Sequence, residues 1–260
     1  MKRHFGIVGG LGALGAADVF FKLVKALPAR SGLEQPDILF EQHPFREEAS
    51  PGDAGASQNG RKIYVFDMVR SFADRRVDTV VLPCFLSHTF LDEIAAETTL
   101  HIANIMEALH GHLTRRHPTS RRLGILTSDY VRSRHLFERY FPDTDWTLFY
   151  PREDVQHDCV MSAIYGPQGV KAGCLRGAAV DLLARACGDL LEQGADVIVP
   201  GFSEIPVVIA ALQERGIPII DTNQIYADYA VADLSGQKAK QFKIGVVVGV
   251  GPAATVDFTD

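Results

Sequence analysis

The sequence predicts an α/β protein of two lobes, each built around a parallel sheet, and three observations predict it. Short apolar runs alternate with longer amphipathic stretches along the chain, the order that builds parallel strands with connecting helices. Two of the runs, Thr79-Val80-Val81-Leu82-Pro83 and Asp196-Val197-Ile198-Val199-Pro200, are continuously apolar and β-branched, the mark of strands buried on both faces. The second is also a near-copy of the first. Shifted by 118 residues, Val77-Asp78 falls on Ala195-Asp196 and Val81-Leu82-Pro83 on Val199-Pro200-Gly201. Such a repeat points to two Rossmann-like lobes related by pseudo-two-fold symmetry. Ligands then meet the carboxyl ends of the strands, so the active site is expected in the cleft between the lobes.

Taken in order, Phe5-Gly6-Ile7-Val8 is a first strand, closed by Gly9-Gly10-Leu11-Gly12. From Ala16 to Ala26 the residues Val19, Phe20, Leu23 and Val24 share one helical face. Asp37–Glu41 is a second strand. The polar stretch from Glu47 to Asn59, with Ser50-Pro51-Gly52-Asp53 as turn residues, reads as a loop, and Ile63 to Arg75 as a helix. The third strand, Thr79–Pro83, follows. Beyond it, Leu123–Leu126, Trp146–Phe149, Asp196–Pro200 and Ile217–Asp221 are strands, with helices over Ala178–Gln193 and Asn223–Ala232. The basic segment from Arg115 to Arg122 marks the lobe junction. One lobe is expected over 1–113 plus 215–235, the other over 114–214, with 236–260 a linker and an added strand.

Composition narrows the function classes. The 260 residues are 47% hydrophobic and 22% charged, with a net charge of −6, as in a globular enzyme. No basic stripe offers the clustered Lys and Arg that phosphate neutralisation needs, so no nucleic-acid partner is expected. No apolar run approaches the roughly 20 residues of a membrane span. The N-terminus runs straight into a strand without a signal-peptide pattern, and a cytoplasmic protein is expected. Cys84, Cys159, Cys174 and Cys187 show no CxxC spacing and read as free thiols, most of them packing residues.

Gly10-Leu11-Gly12-Ala13-Leu14-Gly15 satisfies the dinucleotide fingerprint between a strand and a helix. The candidate ribose-binding acid Glu41 lies 26 residues past Gly15, beyond the usual spacing of about 20. A substrate carboxylate suits a glycine turn at a helix N-terminus as well as a pyrophosphate does. A dinucleotide-dependent oxidoreductase is the outlying alternative. A second repeat, at a shift of 239, relates Gly6–Gly12 and Asp18 to Gly245–Gly251 and Asp257, as though a second copy of the domain began at the C-terminus.

The chemistry gathers at Pro83-Cys84-Phe85-Leu86-Ser87-His88. A cysteine directly after a buried strand meets inward-turned backbone amides, a setting in which thiolates form. Under the 118-residue shift Cys84 falls on Phe202, so the two positions should face one another across the cleft.

These motifs resemble the cofactor-independent aspartate/glutamate racemase family over nearly the whole chain up to about residue 235. Gly9-Gly10-Leu11-Gly12 resembles its GGMGP turn, and Pro83–His88 its PCNTAH motif with the first catalytic cysteine. Ile164–Gly173 is similar to the segment that supplies a substrate-binding lysine, here Lys171. Gly201-Phe202-Ser203-Glu204-Ile205-Pro206 resembles GCTEIP, which carries the second cysteine, and Gly245–Phe258 resembles the family's opening turn. The resemblance implies an isomerase that needs neither pyridoxal phosphate nor metal, acts on a small carboxylate or amino acid, and forms a homodimer. It implies Cys84 as catalytic residue. Gly10, Arg46, Phe85, Leu86, Ser87, Thr127, Ser128, Lys171, Phe202 and Ser203 are the substrate-binding candidates.

Two departures bear on activity. Phe202 stands where the second proton carrier belongs, and Phe85 and Leu86 replace the asparagine and threonine of the motif. Two-base racemisation is therefore expected to be impaired or altered. The open readings are a racemase recruiting Glu204, Ser203 or Cys174, a one-thiol decarboxylase or isomerase, and a non-catalytic small-molecule-binding homologue.

Overall fold

In a computed structural model the described residues are 4–27, 36–43, 45 and 54–232. Strand β1 (His4–Val8) leads into helix α1 (Ala13–Ala26), then β2 (Asp37–Glu41), α2 (Ala54–Asp74) and β3 (Thr79–Val81). Two short helices, α3 (Phe85–His88) and α4 (Leu91–Ala96), precede β4 (His101–Ile102) and α5 (Ile105–Arg116). The second half opens with β5 (Arg122–Leu126), α6 (Asp129–Ser133), α7 (Leu136–Tyr140) and β6 (Thr147–Phe149). Helix α8 (Glu153–Val155) runs through a π-helical turn, Gln156–Met161, into α9 (Ser162–Tyr165). After a 3₁₀ turn, Val170–Ala172, come α10 (Ala178–Glu192) and β7 (Val197–Pro200). A 3₁₀ turn at Ile205–Val208, α11 (Ile209–Gln213) and α12 (Thr222–Ala232) complete the described chain.

The strands form two parallel sheets, ordered β2-β1-β3-β4 and β6-β5-β7. A parallel bridge between Ile198 and Ile219 lengthens the second sheet on its β7 side. Each half thus lays its strands in the order second, first, third, fourth, so the repeat seen in the sequence is one of topology as well. The continuously apolar strands are the buried ones: every residue of β3 and of β7 is buried. Phe5, Ile7 and Val81 of the first sheet share one apolar core with Leu123, Ile125 and Val199 of the second, and Ile225 and Tyr226 of α12 lie within it. The lobes are therefore joined by packing as well as by the chain. No helix among the described residues is long and apolar enough to cross a membrane.

Two element boundaries differ from the sequence reading. The polar stretch expected as a loop to Asn59 is helical from Ala54, because a helix, once nucleated, propagates through residues that carry no apolar periodicity of their own. Ile217–Asp221 contributes the single bridge at Ile219 rather than a full strand. Pro218 has no N–H to give a ladder, although its carbonyl accepts from Ile198 N at 2.8 Å. The Gly245–Phe258 repeat and the 236–260 segment lie outside the described residues.

Candidate active site

Cys84 sits at the mouth of the first sheet, with extended backbone (φ −155°, ψ 107°) as the N-cap of α3. Two buried side chains hold this turn. The Tyr226 hydroxyl accepts from Leu82 N at 2.9 Å and donates to the Ala103 carbonyl at 2.8 Å, tying the ends of β3 and β4 together. The His88 ring joins the Cys84 carbonyl at 2.9 Å through Nδ1 and the Ile105 N–H at 3.2 Å through Nε2. An Nε2 that faces an N–H must carry the lone pair, so the ring proton is on Nδ1 and the imidazole is neutral. Burial pushes its pKa down to about 4, against the opposing pull of the Cys84 and Ala103 carbonyls. His88 is thus committed to the backbone on both nitrogens. It braces the thiol's turn and does not serve as its base.

The opposite lip is the turn after β7. Gly201 N donates to Leu126 O at 2.6 Å and the Thr127 hydroxyl donates to Gly201 O at 3.2 Å. Behind it, Gln156 Nε2 lies 2.8 Å from both Thr127 O and Asp129 Oδ1, bracing the loop after β5 from the π-helical turn. The Asn223 amide donates to Ser203 O at 2.9 Å and to Asp18 Oδ2 at 2.7 Å. Lys22 Nζ pairs with the same Asp18 at 2.6 Å and with Asp221 at 2.8 Å. This buried network fastens the second-lobe turn to α1 of the first.

That fastening explains the glycine fingerprint. A Cβ on Gly12 would collide with the Glu204 carboxylate, and one on Gly15 with Ser203. Gly10 has φ +88°, a left-handed conformation, and a side chain there would strike the His43 carbonyl and the Tyr64 hydroxyl. Gly12 and Gly15 serve close approach between lobes, and Gly10 the tight turn within the first. Moreover, the position that a bound anion would take at the start of α1 is occupied by Glu204, 3% exposed and 3.7 Å from Lys171 Nζ. Lys171 also donates to Leu11 O at 3.2 Å.

Between the lips lies a space of about 360 Å³, mouth included, lined by Cys84, Phe85, Leu86, Ser128, Lys171, Phe202 and Ser203 among others. Cys84 and Phe202 both line it, as the internal repeat implied. Gly10 lies on an adjoining space that shares Lys171 and Glu204. Ser128 caps α6, its hydroxyl accepting from Val131 N at 3.3 Å. Ser87 and Thr127 are buried and do not line the space. Arg46 lies outside the described residues. Among the other thiols, Cys159 and Cys187 are packed in the second lobe's core, where burial pushes Cys187 up to about 12, and Cys174 is not among the lining residues.

Sequence reasoning missed two residues. Arg61 of α2 is 3% exposed, lines the space and points Nη1 at Cys84 Sγ from 3.7 Å. No motif carries it, and it lies just ahead of the helix that the sequence predicts from Ile63, so nothing in the sequence singled it out. Tyr165, at the end of α9, stands edge-on to Phe202 with ring centroids 6.1 Å apart. Lys171 Nζ is 4.6 Å from its ring centre. Burial raises the Tyr165 phenol, keeping it protonated.

Comparison with known proteins agrees with this geometry. A family model, Asp/Glu/hydantoin racemase, matches residues 8–230. Aspartate racemase from Picrophilus torridus is similar in structure, with a TM-score of 0.70 and 15% identity, over 89% of this chain and 94% of that one. An aspartate racemase homologue from Pyrococcus horikoshii OT3 gives 0.68 and 14%, over 91% and 100%. Glutamate racemase from Francisella tularensis, in complex with D-glutamate, gives 0.65 and 12%, over 90% and 81%.

Proposed function

The chain belongs to the Asp/Glu/hydantoin racemase family, and on that footing we propose that it moves the α-proton of a small carboxylate from one face only, with Cys84 as the single proton carrier. The observation that carries this reading is the pairing across the cleft. A thiol with a guanidinium 3.7 Å away stands on one lip, and a phenylalanine stands at the related position on the other. The hydrogen bond from Arg61 is one that a thiolate accepts more strongly than a thiol does. The thiolate takes the α-proton, and charge builds on the substrate carboxylate, which the cations of the cleft offset. The same sulfur then returns a proton to the same face. No atom is lost and no cofactor is called on. Phe202 has no proton to give, so inversion needs a donor that the far wall lacks at that position.

NMR in D₂O of acidic and apolar amino acids, in both enantiomers, tests this. The expected result is loss of the α-proton signal that depends on Cys84, is absent in Cys84→Ala, and leaves configuration retained. In Phe202→Cys, which puts a thiol on the far lip, exchange should be accompanied by inversion. Inversion by the unaltered protein would assign a second carrier, with Glu204 and Ser203 the lining candidates, and would overturn the one-face reading. No exchange with any compound would leave a binding protein.

A further inference from the structure

The cleft at Cys84 adjoins a second space, and the lining of that space says what can extend into it. The second space covers about 700 Å³, mouth included, over the first turn of α1, against about 360 Å³ for the cleft itself. Leu11, Tyr165, Lys171 and Glu204 line both, so the two are compartments on either side of one partition. The charges of the partition offset each other, with Lys171 Nζ 3.7 Å from the Glu204 carboxylate. Beyond it the second compartment is walled by Leu14 and Phe45, which do not line the cleft. Phe45 is held there by the Tyr64 ring, with centroids 5.4 Å apart, and by the Arg61 guanidinium, 5.3 Å from its ring centre. That same guanidinium reaches to 3.7 Å from Cys84 Sγ. One side chain thus spans from the thiol to Phe45, and a short substituent can cover the same distance.

We propose that this second compartment receives the substituent on the substrate's α-carbon, and that the group it takes is an apolar ring carried on a short chain. Such a group leaves water when it packs on Leu14 and Phe45, and contact of ring with ring at Phe45 adds to that. A charged side chain would gain neither, and at the partition it would meet a lysine and a carboxylate already paired with each other. The inference rests on the reading that the reacting carbon lies at Cys84, but occupancy of the compartment can be measured without turnover.

The test is protection of Cys84 from iodoacetamide, read at Cys84 by peptide mass spectrometry so that the other thiols do not contribute. The probes are 4-phenylbutanoate and butanoate, which share carboxylate and chain and differ by the ring. 4-Phenylbutanoate is expected to protect at a concentration about tenfold or more lower, the factor expected when a ring leaves water for an apolar wall. In Phe45→Ala this ratio should narrow to about threefold or less. A changed reactivity of the thiol itself cancels in the ratio. Ala13 is exposed and lines the same compartment, so Ala13→Phe fills it from the surface and should narrow the ratio too, which keeps a readout where Phe45→Ala fails to fold. Equal protection by the two probes on the unaltered protein, or an unchanged ratio in a folded variant, would overturn the subsite and leave the chemistry at Cys84 untouched. Protection by neither probe would overturn the subsite together with the reading of the cleft as a carboxylate site. Protection by 4-phenylbutanoate with no α-proton exchange on any compound would sink the one-thiol chemistry and leave this inference standing.

Discussion

Replacing His88 with glutamine should remove a measurable part of the protein's acid sensitivity. In the folded protein the ring is 2% exposed and neutral, with a pKa of about 4. In the unfolded chain it titrates near 6.5. Between those values the unfolded state binds a proton that the native state does not, so stability falls as pH falls, by about 1.4 kcal/mol per unit. Across the window from pH 6.5 to about 4 the loss amounts to about 3 kcal/mol, and below it the term is constant. Because domains of this kind are stable by about 5–15 kcal/mol, the effect should be plain in equilibrium urea unfolding. Glutamine can donate to the Cys84 carbonyl and accept from the Ile105 N–H, but it does not titrate. The expected result is a shallower dependence of unfolding free energy on pH in His88→Gln across this window, with the curves parallel above it. Parallel curves throughout, or an NMR titration placing His88 near its ordinary value, would refute the neutral, doubly bonded ring.

Two other perturbations test how the cleft is held. Tyr226→Phe should cost about 1–3 kcal/mol, because it leaves the Leu82 N–H and the Ala103 carbonyl buried without their hydroxyl partner; thermal or urea unfolding checks this, and the alkylation rate of Cys84 should change as its turn loosens. Gly15→Ala, although it raises helix propensity, should destabilise by about 1–3 kcal/mol because its methyl collides with Ser203. An unchanged or raised unfolding midpoint for Gly15→Ala would mean the lobes meet less closely than described.

The position of Cys84, the candidate catalytic residue, at the cleft was legible in the sequence because the repeat and the strand-end position both pointed to it, and each is a property of the chain itself. Buried strands advertise themselves through unbroken apolar runs, so β3 and β7, and the turns that carry Cys84 and Phe202, could be placed without coordinates. The glycines of residues 10–15 were equally visible, yet their meaning was not. A nucleotide turn and a close contact between lobes demand the same residue, and only the position of Ser203 and Glu204 distinguishes them. The start of α2 was hidden for a different reason, since Ala54–Asn59 holds only small and polar residues and carries no apolar periodicity.

What the sequence by itself determined is the alternation of buried strands with helices, the repeat, and a phenylalanine at the position related to Cys84. Only the tertiary structure decided that Arg61 reaches Cys84, that Glu204 neutralises Lys171, and that His88 is bound to backbone on both nitrogens. Apart from the bond of His88 to the Cys84 carbonyl four residues back, these are contacts between residues 17 to 33 positions apart along the chain, and their partners are chosen by packing. A side chain's role in such a site depends on which charge it meets, and no local pattern encodes that meeting.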